Sequence, residues 1–243
     1  MKLQVVSYHS GIPVVNKSPE KSNILYYMIE GVNACGDIGR NHFELNTLEC
    51  DVAVLQGFVH EHSKNAPHLR LRRDVLQTQK MARKRTLVAD SNLFLWVNKS
   101  NKPHHYLRYS WDGVFRRTGF YFDKDIDPAR WQQIKTDLQI DVKPYRKNGN
   151  HILICLQRNG GWSMKNYDVM EFCHNTISKL RQHTDRPIVV RAHPGDKKSA
   201  LYLRLNLPNV TVSTNPNIDQ DLENAWATVV YNSSPGVASF IRG

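Results

Sequence analysis

Cysteine is scarce in this chain. Among 243 residues only Cys35, Cys50, Cys155 and Cys173 are cysteines, and no two stand at C-x-x-C spacing. That argues against a cysteine zinc site and suits a reduced, intracellular protein with buried thiols. Long apolar runs are missing as well: no stretch of about 18 apolar residues occurs, so no membrane span is expected. The N-terminal MKLQVVSYHSGIPVV is broken by His9, Ser10 and Pro13, and it reads as a first strand rather than a signal peptide. There is no internal repeat and no low-complexity tract. Acidic residues are outnumbered, 22 Asp and Glu against 33 Lys and Arg, for a formal net charge of +11. Two explanations stand open: a polyanionic or phosphate-bearing partner, and a charge that serves only solubility. The 40% of apolar residues is enough for packed cores and excludes a mostly disordered chain.

What is present is an alternation of short apolar runs with longer amphipathic ones, the pattern of an α/β fold with parallel sheets. Strands are expected at Leu3–Tyr8, Asp51–Gln56 and Thr86–Ala89, with helices at Pro19–Gly31 and Pro67–Lys84 between them. Pro19 and Pro67 suit a first helical turn. The stretch from Asn98 to Phe122, rich in His, Tyr, Trp and Arg, reads as loops with short strands. Asp127-Pro128 opens a helix to about Leu138. The polar KPYRKNGN of Lys143–Asn150 reads as a linker, dividing the chain into residues 1–147 and 148–243. In the second part, strands are expected at His151–Leu156, Pro187–Ala192, Asn209–Ser213 and Thr228–Tyr231. Helices fall at Tyr167–His183, Lys197–Leu205, Asp219–Ala225 and from Val237. Because the sequence stops inside that last helix, this domain is expected to be a shortened version of a larger fold.

Strand ends in the second half gather phosphate-handling residues. Leu156-Gln157-Arg158-Asn159-Gly160-Gly161 runs from a strand into a glycine pair, flanked by Arg158 and Lys165. Glycine lets backbone N–H groups approach a phosphate, although Asn-Gly-Gly is also an ordinary turn, and the spacing matches neither a P-loop nor a dinucleotide fingerprint. Val189-Val190-Arg191-Ala192-His193-Pro194 delivers Arg191 and His193 to a carboxyl edge, where open α/β sheets bind ligands. The alternative is that Arg191 pairs with an acidic neighbour and His193 caps a turn. Tyr231-Asn232-Ser233-Ser234-Pro235-Gly236 leads from a strand into a helix whose N-terminus suits an anion, or whose serines merely cap it.

In this order, the Gly-rich loop, the R-x-H-P strand end and the N-S-S-x-G turn resemble the donor-binding half of GT-B glycosyltransferases. They are similar in particular to the capsule-polysaccharide and glycerophosphotransferase-like branch. The stretches ILICLQRNGGWSMKN, VADSNLFLW and HYLRYSWDGVF also resemble proteins of tailed marine phages, some of which glycosylate hydroxymethylated bases in DNA. The resemblance is strongest over about residues 150–240. It implies two Rossmann-like domains, the first for the acceptor and the second, incomplete, for a nucleotide-sugar donor, most simply a UDP-sugar, with no other cofactor required. The donor residues it implies are Arg158, Asn159, Gly160, Gly161, Lys165, Arg191, His193, Asn232, Ser233, Ser234 and Gly236. It also implies a DNA acceptor, with a capsular or other glycan as the rival, and a location in the cytoplasm of an infected bacterial host. A non-catalytic nucleotide- or nucleic-acid-binding module is the reading from another class.

An inverting transfer needs a base for the acceptor proton. Asp90, at the carboxyl end of the Thr86–Ala89 strand, is the first candidate, with Asp37 and Asp112 behind it; a turn or capping role is the alternative. Asp123, Asp125 and Asp127 contain a D-x-D pattern, but they precede a helix start, where acids are expected electrostatically. Neither His60-Glu61-His62 nor His104-His105 has the H-E-x-x-H spacing of a zinc site, so no metal is assigned. Arg72, Arg73, Arg116 and Arg117 are the candidates for contacts with a nucleic-acid backbone, alongside Lys80, Arg83 and Lys84 on one polar helix face. A solvated face is the alternative for that helix.

Overall fold

A computed structural model describes residues 1–10, 19–57, 66–90, 93–94, 96–98, 100, 106–114, 127–159, 164 and 167–243. The chain divides into two compact units, Met1–Ile134 and Lys135–Gly243. The division falls inside helix α3 (Ala129–Leu138), which Asp127 opens by accepting the Ala129 N–H at 2.8 Å. The polar stretch that follows belongs to the second unit. Lys143 N–H donates to Ile241 O, and the Arg146 side chain caps the Leu222, Glu223 and Gly243 carbonyls.

The first unit is built on β1 (Gln4–Tyr8), β2 (Ile38–His42), β3 (Val52–Gln56), β4 (Arg85–Asp90) and β5 (Arg108–Trp111), in the sheet order β2-β1-β3-β4-β5. The first four are mutually parallel and β5 is an antiparallel edge strand. Helix α1 (Pro19–Ala34) covers one face, packing Leu25 and Ile29 on Val5 and Val54. Helix α2 (Pro67–Met81) covers the other, packing Leu71 and Val75 on Val6, Ala53 and Leu55. The alternation of Val54 and Leu55 between these two clusters is the period of two that a doubly covered strand requires.

The second unit has β6 (His151–Cys155), β7 (Ile188–Arg191), β8 (Val210–Val212) and β9 (Ala225–Val230), all parallel in the order β8-β7-β6-β9. Helices α4 (Val169–Arg181), α5 (Ser199–Tyr202), α6 (Ile218–Leu222) and α7 (Pro235–Ile241) connect and follow these strands. Asp168 caps α4 by accepting the Met170 and Glu171 N–H groups. Val169, Cys173 and Ile177 of α4 pack on Ile152, Ile154, Ile188 and Val190. Burial pushes the Cys155 thiol up to about 12 and the Cys173 thiol up to about 11, so both are inert at neutral pH; Cys35 is exposed.

The fold is thus α/β with one mixed and one parallel sheet, compatible with Rossmann-like architecture. No helix among the described residues is long and apolar enough to cross a membrane. Two expectations change. Ile38–His42 is a strand the sequence reading misses, and Ala225 opens β9 instead of closing a helix.

Candidate functional site

In each sheet the strand order reverses once, and the crevice outside the strands' carboxyl ends at that reversal is where α/β sheets bind ligands. In the second unit the reversal lies between β6 and β9. Residues 157–159 follow β6 and residues 231–234 follow β9, so the first and third predicted segments flank it. The Gln157 side-chain amide donates to Asn232 Oδ1 across the gap, tying the two strand ends together. Gly160, Gly161 and Lys165 lie outside the described residues.

Arg158 and Asn159 are exposed, and Arg158 has no hydrogen-bond or ion-pair partner among the described residues. Asn159 is anchored through its backbone, its N–H donating to Asp196 Oδ2 at 2.8 Å. Asp196, itself buried, also accepts from the Tyr202 hydroxyl and the Lys198 N–H. Burial alone would push the Asp196 carboxyl up; these hydrogen bonds outweigh it and hold the group below its ordinary value. Asp196 therefore links the loop after β6 to the loop after β7.

His193 belongs to the same cluster. Its Nδ1 accepts the Gly195 N–H at 2.9 Å, so in the neutral ring the proton sits on Nε2. Burial lowers its pKa, with Arg158 adding to that and Asp196 opposing it. A neutral ring with an Nε2–H is a hydrogen-bond donor suited to a phosphate oxygen. Gly195 lies close under the ring: a Cβ there would stand 3.1 Å from His193 Cε1.

At the β9 end the serines do not cap α7 through their side chains. Ser233 Oγ is buried with no hydrogen-bond partner among the described residues, and Ser234 makes no side-chain cap bond. The helix is started instead by their carbonyls, Ser233 O accepting from Gly236 and Ser234 O from Val237 and Ala238. A buried hydroxyl without a partner is costly, and a ligand oxygen at this strand end would satisfy it. Gly236 fits closely against Val230, 2.9 Å from where its Cβ would stand.

Arg191 does not join this group. Its guanidinium donates to Asp221 Oδ2 at 2.5 Å, to Asn215 O at 2.9 Å, and to Ser213 Oγ and Pro216 O at 3.3 Å. The pair is buried, with side-chain exposures of 13% for Arg191 and 2% for Asp221. The acidic neighbour allowed for at the sequence level is there, and it holds the arginine within the β7–β8–α6 network instead of presenting it to a phosphate.

Asp90 likewise has a structural partner. It stands opposite Arg108 in the antiparallel β4–β5 ladder and accepts from its Nη2 at 2.6 Å. Asp112 pairs with Arg85 and caps the Thr86 N–H, and Asp37 accepts the Leu3 N–H. All three candidate carboxylates are thus used in building the first sheet. We expect Asp90→Asn to lower stability by no more than about 1 kcal/mol, as partly exposed pairs do. It should leave any transfer rate within a few-fold of wild type, as steady-state kinetics and a thermal melt would show.

The sequence reading passed over His9. It follows β1 at the reversal of the first sheet, which lies between β1 and β3. His9 is 5% exposed, its ring stacked 4.8 Å from Phe43 and tilted against Tyr26 at 4.5 Å. Asn41 Oδ1 receives both His9 Nε2 at 2.9 Å and Ser7 Oγ at 2.8 Å. An amide oxygen only accepts, so Nε2 carries the proton, and the Nδ1 lone pair has no partner among the described residues. Two residues beyond the last registered β1–β3 pair, Ser7 with Val54, His9 comes level with Gln56. The Gln56 Oε1 is buried with no donor among the described residues. The signal available in sequence was a polar Y-H-S immediately after an apolar strand.

Of the predicted nucleic-acid contacts, Arg116 and Arg117 lie outside the described residues. Arg72 and Arg73 are half-buried on α2, whereas Arg70 and Lys80 are exposed. Asp123, Asp125, the 60–62 motif and the 104–105 histidines also lie outside them. A cavity of about 340 Å³ in the second unit is lined by Lys143, Tyr145, Trp226, Thr228, Ser239 and Phe240, toward the amino-terminal half of β9 and apart from the predicted donor residues. In comparisons with known proteins, no family model matches the chain and no curated protein matches it.

Proposed function

We propose that the chain is a glycosyltransferase that uses a nucleotide-sugar, with the donor diphosphate held at the carboxyl edge of the second sheet. One observation carries the reading: Arg158, His193 and Ser233, each with an unused polar group, belong to the strand ends at and beside the β6–β9 reversal. The motif resemblance supports it independently of geometry. In this reading Arg158 supplies the charge, His193 Nε2–H and Ser233 Oγ–H donate to phosphate oxygens, and Asp196 fixes the loop that carries Arg158. As the glycosidic bond to the diphosphate breaks, negative charge builds on the departing oxygen. Preorganised donors stabilise that charge most. Arg191 acts only through the scaffold.

On the acceptor side, His9 takes the place first given to Asp90. An acceptor hydroxyl that donates to His9 Nδ1 loses its proton to it as the oxygen attacks the anomeric carbon. A hydroxymethylated pyrimidine in DNA is the acceptor that the phage resemblance suggests, and a glycan is the rival. The second reading, a non-catalytic nucleotide-binding module, is favoured by the ion pairing of Asp90 and Asp112 and by the backbone N–H that Asp37 accepts.

Calorimetric titration of UDP-glucose and other common nucleotide-sugars, followed by a transfer assay, tests the proposal. Arg158→Ala is expected to weaken donor binding at least about tenfold, the magnitude of one charge-assisted phosphate contact. Absence of binding by every donor in the wild-type chain would overturn the donor site. Binding without transfer or hydrolysis would favour the non-catalytic module.

A further inference from the structure

We propose that the first unit carries an anion site of its own, for the phosphate group of a small phosphomonoester, built on Arg72 above Gly57. Gly57 ends β3 at the strand-order reversal of this sheet, and its N–H donates to Ala89 O at 2.7 Å. Its φ is +87°, a left-handed conformation that glycine adopts without strain. A Cβ at this position would lie 3.2 Å from Arg72 Nη1, so the guanidinium rests directly over the bare backbone.

Arg72 is half-buried, yet it makes no hydrogen bond or ion pair among the described residues. A cation withdrawn from water without a partner is unfavourable, and a bound anion relieves it. Burial accordingly pushes the Arg72 pKa down, and the Arg72 charge, after burial, also depresses His68 one turn earlier. Helix α2 adds to the same field: Ala66 gives it no side-chain cap, and its first turn has no acidic residue.

The arrangement selects for phosphate by its chemistry. A guanidinium fork matches two phosphate oxygens, and a dianion also answers the uncompensated helix end. It selects for a small molecule by its depth. A duplex backbone meets side chains that stand out from the surface, as Arg70 and Lys80 do on α2, whereas Arg72 is drawn in against the end of β3. The inference stands without the donor reading, since every residue it uses lies in the first unit.

Inorganic phosphate titrated into the full chain, followed by thermal melting and ³¹P line broadening, is the test. Phosphate is expected to raise the Tm of the wild-type protein by mass action. Arg72→Gln should melt no lower than wild type without phosphate, because it removes a charge that has no partner among the described residues, and should need about tenfold more phosphate for the same shift. Arg72→Lys, which keeps the charge and loses the fork, is expected to fall between them. The proposal is overturned if wild type does not respond, or if either variant responds as wild type does. It is equally overturned if Arg72→Gln loses binding to a short DNA duplex that phosphate neither displaces nor mimics. UDP-glucose, which has no terminal phosphate, should bind Arg72→Gln and wild type alike. Its failure to bind either would sink the donor reading and leave the phosphate result standing.

Discussion

Asp221→Ala is expected to unfold the second unit or to destabilise it by about 3–5 kcal/mol, the range for removing one partner of a buried ion pair. Asp221 accepts from Arg191 Nη1, from Ser213 Oγ through both oxygens and from Asn215 Nδ2. With alanine there, the Arg191 guanidinium keeps only the Asn215 and Pro216 carbonyls and the Ser213 hydroxyl, and its charge stays buried without compensation. Arg191→Met should be milder, because Ser213 and Asn215 still solvate the Asp221 carboxylate. The double variant Arg191→Met with Asp221→Leu should recover most of the loss, since an apolar pair of similar volume avoids the desolvation cost altogether. Urea unfolding followed by circular dichroism measures all three. The recovered double variant also separates scaffold from ligand: it should bind a nucleotide-sugar as wild type does. A loss of donor affinity in a variant of restored stability would return Arg191 to the phosphate site.

The contrast between Arg191 and Arg158 shows how far the sequence could be read. Both are arginines at strand ends, within or beside a recognisable motif. The strand pattern placed both correctly at a carboxyl edge, because β6 and β7 are short runs of β-branched and apolar residues that can only be buried strands. It could not tell which guanidinium meets an internal acid. Asp221 is 30 residues from Arg191, on α6, a helix that packs against β9. Ion pairs at long separation are invisible to local pattern, and the pairing of Asp90 with Arg108 was hidden for the same reason. The strands themselves were legible except β2, whose Ile38-Gly39-Arg40-Asn41-His42 has one apolar side chain and is a strand only because it pairs with β1. That omission hid Asn41, and without Asn41 nothing distinguished His9 from a loop histidine.

His9→Gln is expected to lower the rate of sugar transfer by ~10²–10⁴-fold, the usual contribution of a positioned general base, while leaving donor affinity unchanged. The orientation of the ring supports that expectation. Asn41 fixes the proton on Nε2, Tyr26 and Phe43 hold the ring plane, and the Nδ1 lone pair has no partner among the described residues. A hydroxyl entering there has a base within the site. Burial lowers the His9 pKa from its ordinary 6.5, with the Asn41 bond opposing the shift. The base therefore stays unprotonated at pH 7, and the acid limb of the rate profile should inflect below pH 6.5. In His9→Gln that limb should vanish along with the rate. Stability carries the same sign. The unfolded chain binds the His9 proton more readily than the folded one, so the His9 contribution is complete above pH 6.5 and declines as the pH falls toward the folded-state pKa. A thermal melt taken between pH 7 and pH 5 should show a smaller loss in His9→Gln than in wild type. If His9→Gln transferred sugar at the wild-type rate with the acid limb intact, His9 would be a packing residue and the base would have to be sought elsewhere in the chain.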